Sequence, residues 1–121
     1  MAITTTWSVT DMTHVDADGG VIKAYWSCVA RNVTGQTLGV DNYDYEALEG
    51  GKLLCTYDAS ASGYIRYAEL SQADVLGWIW TSLIEGDETA AEAKARIEAN
   101  RTARVQGQID RATTQAEGVP W

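Results

Sequence analysis

The sequence of 121 residues contains no phenylalanine, one proline, one histidine and two cysteines. One histidine and two cysteines supply too few soft ligands for a zinc site, so we expect no metal. His14 lies near the end of a predicted strand with no catalytic serine or cysteine motif to serve, so we expect no enzymatic activity and no cofactor. Cys28 and Cys55 are far apart and sit in apolar stretches, which favours two free, buried thiols over a disulfide.

Basic residues are also scarce, since 9 Lys and Arg stand against 17 Asp and Glu and give a net charge of −8. This balance argues against binding to nucleic acid or to an anionic membrane, because affinity for phosphate comes mainly from clustered Lys and Arg. No stretch approaches the ~18 apolar residues of a membrane-spanning helix. Residues 1–7 lack the charged start and apolar run of a secretory signal. We therefore expect a small acidic domain made in the cytoplasm of its host cell.

The amino-terminal part, residues 1–70, shows the alternation of strands. Apolar residues alternate with Thr and Ser over 3–9, and the alternation resumes over 21–31. There the expected core face carries Ile22, Ala24, Trp26, Cys28 and Ala30. Residues 16–20, 32–36 and 49–51 are predicted turns; the paired glycines lack the neighbouring residues of calcium or phosphate loops. With further strands expected at 37–45, 52–57 and 64–67, the prediction is an antiparallel meander of four or five short strands.

Helical patterns follow the strands. Ser71 and Asp74 form a capping box before an amphipathic helix assigned to residues 71–86, and Gly86 is expected to end it. Asp87 is expected to cap a long, alanine-rich helix that reaches about residue 115 within a segment of residues 87–121. The predicted class is therefore α+β: one domain made of a β-meander, a short helix packed on it, and a longer polar helix with a tail.

The long helix and the tail are the predicted contact regions. Large apolar residues are few in this helix and form a narrow stripe, a pattern typical of helices that pack on a neighbour. The sequence ends in Val-Pro-Trp, and tryptophan is enriched among interface hot spots. The residues predicted to bind partner chains are Trp80, Ile97, Val105, Ile109, Val119, Pro120 and Trp121.

A second candidate contact region is the acidic, aromatic segment at residues 41–46. Tyr43, Asp44 and Tyr45 are candidates for binding a sugar by stacking and hydrogen bonding. The same composition is also typical of a polar edge strand whose charges oppose aggregation.

Several of these features together resemble a protein family. The chain has a Thr/Trp-rich opening strand, an Asp-Gly-Gly turn, a strand centred on Tyr25 and Trp26, the segment YAELSQADVLGW at 67–78, and a final Pro-Trp. It is similar to short virion-associated proteins of tailed marine and cyanobacterial bacteriophages, which share a Y-x-x-L-[S/T]-x-x-x-V-x-G-W segment and a terminal Pro-Trp.

The resemblance implies a non-enzymatic virion structural protein. We expect a capsid decoration (cement) protein or a tail or fibre accessory, located in the virion. It would bind other virion proteins and itself as a homo-oligomer, through the carboxy-terminal helix and tail. A module that binds host-surface glycan is the alternative.

Overall fold

A computed structural model describes residues 2–15, 20–56, 65 and 67–114. Three strands come first: β1 (Ala2–His14), β2 (Val21–Thr37) and β3 (Val40–Leu54). A single 3-10 turn at Tyr67–Glu69 precedes two helices, α1 (Gln72–Ser82) and α2 (Ala90–Thr114). The strands form one antiparallel sheet in the order β1-β2-β3. The predicted α+β class, with sheet before helices, is confirmed.

The described residues contain three long strands rather than four or five short ones. Residues 32–36, predicted as a turn, continue β2, and residues 49–51, also predicted as a turn, lie inside β3. Residues 57–64 and 66 are outside the described residues, and with them half of the strand expected at 64–67; Tyr67, the last residue of that expected strand, lies in the 3-10 turn. The predicted turn at 16–20 also falls largely outside the described residues.

Gly51 lies inside β3, opposite a large aromatic side chain of β2. Gly51 pairs with Trp26 of β2. A Cβ at Gly51 would lie 3.2 Å from three atoms of the Trp26 indole, so the missing side chain gives the ring its place. Gly51 therefore serves here as space for an aromatic ring, not as part of a turn.

The predicted turn at residues 32–36 is instead part of strand β2, and the contacts of Asn32 account for the difference. Asn32 is fully buried (0% exposed) at a register shift between β2 and β3. Its Oδ1 accepts hydrogen bonds from the backbone N–H groups of Asp44 (3.0 Å) and Tyr45 (2.6 Å). Two residues of β3 thus oppose one residue of β2, which is a β-bulge whose free N–H groups are satisfied by a side chain.

Both helices begin at capping boxes. Ser71 Oγ accepts from Asp74 N, and Asp74 Oδ2 accepts from Ser71 N, as predicted. The cap of the second helix is Thr89, two residues after the predicted cap at Asp87. There Thr89 Oγ1 accepts from Glu92 N (3.2 Å) while Glu92 Oε1 accepts from Thr89 N (3.0 Å). The helix is capped at Thr89 because this capping box provides hydrogen-bond acceptors for two backbone N–H groups, those of Thr89 and Glu92.

The core lies between one face of the sheet and the helices. A larger cluster joins Trp7, Trp26 and Cys28 of the sheet to α1 and Ile97 of α2, and a smaller one joins Ala30 and Ala47 to Val105. The indoles of Trp7 and Trp26 lie 5.5 Å apart in the larger cluster, so Trp26 is on the core face as predicted. The prediction that Ile22 faces the core is wrong: Ile22 is 40% exposed, and Val21 is buried instead, next to a register shift at the end of β1.

Candidate interaction surface

Several large apolar side chains along β3 and its turn are exposed. On β3 and its turn, the exposed fraction is 100% for Leu38, 68% for Val40, 57% for Leu48 and 69% for Leu54. The described helices pack on the opposite face of the sheet from Leu48, whose cross-strand partner is Val29. This hairpin therefore presents apolar surface to solvent.

The end of the hairpin forms an arm, which we define as residues 34–42. Pairing between β1 and β2 reaches only Ala2 and Val33, so the arm extends past the described part of β1. At ~3.3 Å per residue, four residues of β2 carry it about 13 Å further. Three hydrogen bonds reinforce it across the strands: Thr34 Oγ1 to Asn42 O, Gln36 Nε2 to Asp41 Oδ1, and Asn42 Nδ2 to Thr37 Oγ1.

The tip of the arm is a two-residue turn with an unusual occupant. Leu38 has φ +53° and Gly39 has φ +80°. Two successive positive φ angles are the mark of a type I′ turn, which favours Asn-Gly. The left-handed backbone conformation of a leucine lowers stability by roughly 1–2 kcal/mol. Because the Leu38 side chain is fully exposed, no burial within the chain offsets this penalty. The arm thus holds an apolar side chain at its outermost point against a local penalty.

The middle of β3 is protected along its length by α2. Arg101 Nη1 donates to Leu48 O (3.3 Å) and Gln108 Nε2 donates to Glu46 O (3.5 Å). Arg101 also lies 3.7 Å from the Glu49 carboxylate. Side chains of the helix therefore occupy carbonyls of β3 below the arm, which discourages strand addition there. The arm has no such cover from the described helices.

An open groove of about 550 Å³ runs along α2, lined by Asn100, Arg101, Ala103, Arg104, Gly107 and Arg111. The guanidinium of Arg111 lies over Gly107, with Nη1 3.5 Å from the position that a Cβ of residue 107 would take. Arg104 and Arg111 are exposed and make no hydrogen bond or ion pair with other described residues. A basic groove is unexpected on a chain of net charge −8.

Four of the predicted partner-binding residues are covered by the chain itself. Ile97 and Val105 are 3% and 0% exposed, and Ile109 packs on the smaller core cluster. Trp80 contacts the Trp7 ring edge-on at 5.8 Å and lies under the Lys94 ammonium at 4.9 Å. The apolar stripe of α2 is thus used against its own sheet. The remaining three, Val119, Pro120 and Trp121, lie outside the described residues.

The two candidate sugar-binding tyrosines point to opposite faces of the sheet. The bulge opposite Asn32 places Tyr43 beside Arg31, whose guanidinium lies 4.5 Å from the ring centre, whereas Tyr45 packs against the smaller core cluster. Asp44 is exposed between them. The structure does not bring the two rings together as one stacking platform.

The two cysteine thiols both have raised pKa values, but only Cys28 is buried as predicted, whereas Cys55 is half-buried. Burial, and after it the nearby carboxylates of Glu98 and Glu49, raise the pKa of the Cys28 thiol to about 11. Burial also raises the pKa of Cys55, and both cysteines are free. In the described part of the chain, no three His, Cys, Asp or Glu side chains are grouped to hold a metal ion.

Sequence reasoning missed both the arm and the groove, although each left a signal. Gly39 marks a two-residue turn between Thr37 and Val40, and Gly107 is a lone glycine within a helical pattern flanked by arginines. Neither α1 nor α2 is apolar over a length that would cross a bilayer.

Neither a curated protein nor a solved structure matches the chain. A family model does match it, over residues 2–121, and its description is "Domain of unknown function (DUF7936)". That match takes in the sheet, both helices and the tail, and the chain therefore belongs to the DUF7936 family.

Proposed function

We propose that this protein is a non-enzymatic structural subunit of a tailed bacteriophage particle, either a capsid decoration protein or a tail or fibre accessory. The arm is its principal docking element. Two observations support the proposal: the resemblance of the sequence to virion-associated phage proteins, and the exposed apolar side chains of the β2–β3 hairpin.

The observation that carries it is Leu38. A fully exposed leucine in a left-handed turn lowers the stability of the isolated chain, so its presence is best explained by a contact made outside the chain. Cross-strand hydrogen bonds hold the arm in one shape before it meets a partner. Such preorganisation reduces the entropy lost on binding.

The test is incorporation into particles. Particles purified from infected cells are analysed by quantitative mass spectrometry, with wild-type protein and with Val40→Asn on the arm. Leu54→Asn is the matched control, since Leu54 is about as exposed but ends the same strand away from the arm. The proposal requires wild-type protein in the particle at a fixed copy number, with loss for Val40→Asn and retention for the control. Absence of the wild-type protein from particles refutes it.

The tail is a second proposed contact. Deleting residues 119–121 is expected to reduce incorporation because tryptophan contributes strongly to interfaces. Incorporation equal to that of the full chain would remove the tail from the proposal and leave the arm.

Glycan binding is the alternative function, and it would depend on Tyr43, since Tyr45 faces the core. Binding on a glycan array that is lost in Tyr43→Ala and kept in Tyr45→Leu would favour it. An array without signal leaves the structural role.

A further inference from the structure

We infer that the outer edge of β1 pairs with the same edge of a second copy across a two-fold axis, so that two three-stranded sheets join into one. The inference goes beyond the proposed function, because this edge is a different surface from the arm and the contact involves no other protein.

The backbone groups of β1 point alternately toward β2 and away from it. Cys55 N donates to Ile22 O, so the even-numbered residues at 22–30 of β2 turn their backbone groups toward β3 and the odd-numbered ones toward β1. The β1 residues opposite those odd-numbered positions are Thr4, Thr6 and Ser8. The β1 residues between them, whose N–H and C=O groups therefore point outward, are Ile3, Thr5 and Trp7. No described residue hydrogen-bonds these outward groups.

The free edge, which we define as residues 3–7, has a clear end. Val9 N, the next outward group, donates to Gln72 Oε1 of α1 (2.9 Å), and a register shift follows between Val9 and Asp11. Residues 2–9 contain no charged residue, glycine or proline, which are the usual protections of an edge strand. On the other edge of the sheet, side chains of α2 already bond carbonyl groups of β3. The edge of β1 is thus the one open to strand addition.

The free edge is complementary to itself. When an antiparallel copy is centred on Thr5, each Thr5 faces the other, and Ile3 of each copy faces Trp7 of the other. Each of these pairs exchanges two backbone hydrogen bonds, so every outward group of the free edge is satisfied. Centring the pairing on Thr6 would instead place the occupied N–H of Val9 in the ladder. A second copy of this chain is therefore the partner whose pairing ends where the free edge ends.

The side chains suit the same register. On the core face, Ile3 lies beside Trp7 of the second copy, and on the other face Thr4 lies beside Thr6 of the second copy. Cross-strand pairs of aromatic and β-branched residues stabilise a sheet. The carboxylate of Glu98 on α2 accepts from Trp7 Nε1 (3.0 Å) and Thr5 Oγ1 (3.4 Å), which fixes the strand before it meets a partner. A fixed strand loses less entropy on pairing.

The contact is isologous, so it closes at a dimer. It is smaller than the ~800 Å² per partner of a standard interface, so association is reversible and rises with protein concentration. Each copy has a net charge of −8, and the uncharged free edge is where two copies approach with least repulsion. Because salt screens the remaining repulsion, the dimer should strengthen as salt is added.

The experiment is sedimentation velocity on the full chain over a range of concentrations. Thr4→Glu with Thr6→Glu in one chain places like charges opposite each other in the dimer and should weaken association at least about tenfold. Both threonines are exposed, so the fold of the single chain is kept. Thr10→Glu with Thr13→Glu is the matched control, because it adds the same charge to exposed positions of β1 beyond the free edge. The control should associate about as well as wild type.

A charge exchange tests the register. Thr4→Lys with Thr6→Glu in one chain keeps the net charge and places opposite charges together in both cross-strand pairs, so association should equal or exceed that of wild type. Amide hydrogen exchange locates the contact. The amides of Ile3, Thr5 and Trp7 should exchange more slowly as protein concentration rises.

Wild type that stays monomeric at all concentrations overturns the inference, even if another protein covers this edge in particles. Equal association by the Thr4→Glu, Thr6→Glu variant and its control also overturns it, as does exchange at residues 3, 5 and 7 that does not change with concentration. A monomeric chain found in particles refutes the dimer and leaves the virion role. A dimer that is absent from particles does the reverse.

Discussion

Replacing Leu38 by asparagine is expected to stabilise the folded chain, although the change removes an apolar side chain. Leu38 is 100% exposed, so no buried area is lost, and its φ of +53° is a conformation that asparagine adopts readily. Relief of the left-handed strain is worth about 1 kcal/mol. For a chain of this size the gain raises Tm by about 3–5 °C.

Urea unfolding followed by tryptophan fluorescence measures the effect. The midpoint should rise with the m-value unchanged, at a protein concentration low enough for association to contribute nothing. Leu48→Asn is the matched control, because the same exchange in an ordinary strand position loses β-propensity and should be neutral or destabilising. A midpoint for Leu38→Asn equal to or below wild type would refute the argument that the turn is strained.

The remaining predictions concern the sheet and the connection between the helices. Gly51→Ala should cost about 1 kcal/mol in urea unfolding because its Cβ would crowd a packed indole, whereas Gly35→Ala, with open space around it, should be neutral or slightly stabilising. Asn32→Leu should cost about 2–4 kcal/mol since two bulge N–H groups lose their acceptor; a loss well below 1 kcal/mol would contradict this. Arg96 hydrogen-bonds Glu88 and lowers the pKa of that carboxyl from 4.5, so this contribution to stability is present above pH 4.5 and is lost as pH falls through the folded value. As the pH falls below 4.5, the urea unfolding midpoint of Arg96→Met should therefore decrease less than that of wild type. An equal decrease in both proteins would contradict this prediction.

Helix starts were predictable where the sequence carries reciprocal caps. Ser71 and Asp74 were found from their spacing. The equivalent pair, Thr89 and Glu92, has the same spacing, and the prediction of a cap at Asp87, two residues earlier, is wrong. A cap depends on four consecutive residues, so the information needed was present in the sequence at both places.

The contact residues were less predictable. The stripe of Ile97, Val105 and Ile109 was correctly seen as the apolar side of the helix, but apolar spacing does not say whether the surface it covers belongs to the same chain. Leu38 lies within the strand predicted at residues 37–45, because the identity of a leucine does not indicate a positive φ angle.

The sequence by itself determined the order of sheet and helices, the cap at Ser71, and the core-facing side of Trp26, because these follow from periodicity and near neighbours. The tertiary structure alone decided that Gly51 yields space to an indole, that Asn32 turns Tyr43 and Tyr45 to opposite faces, and that the arm stands free. Each of these depends on which residue lies across the strand, and cross-strand partners are set by the register of the whole sheet.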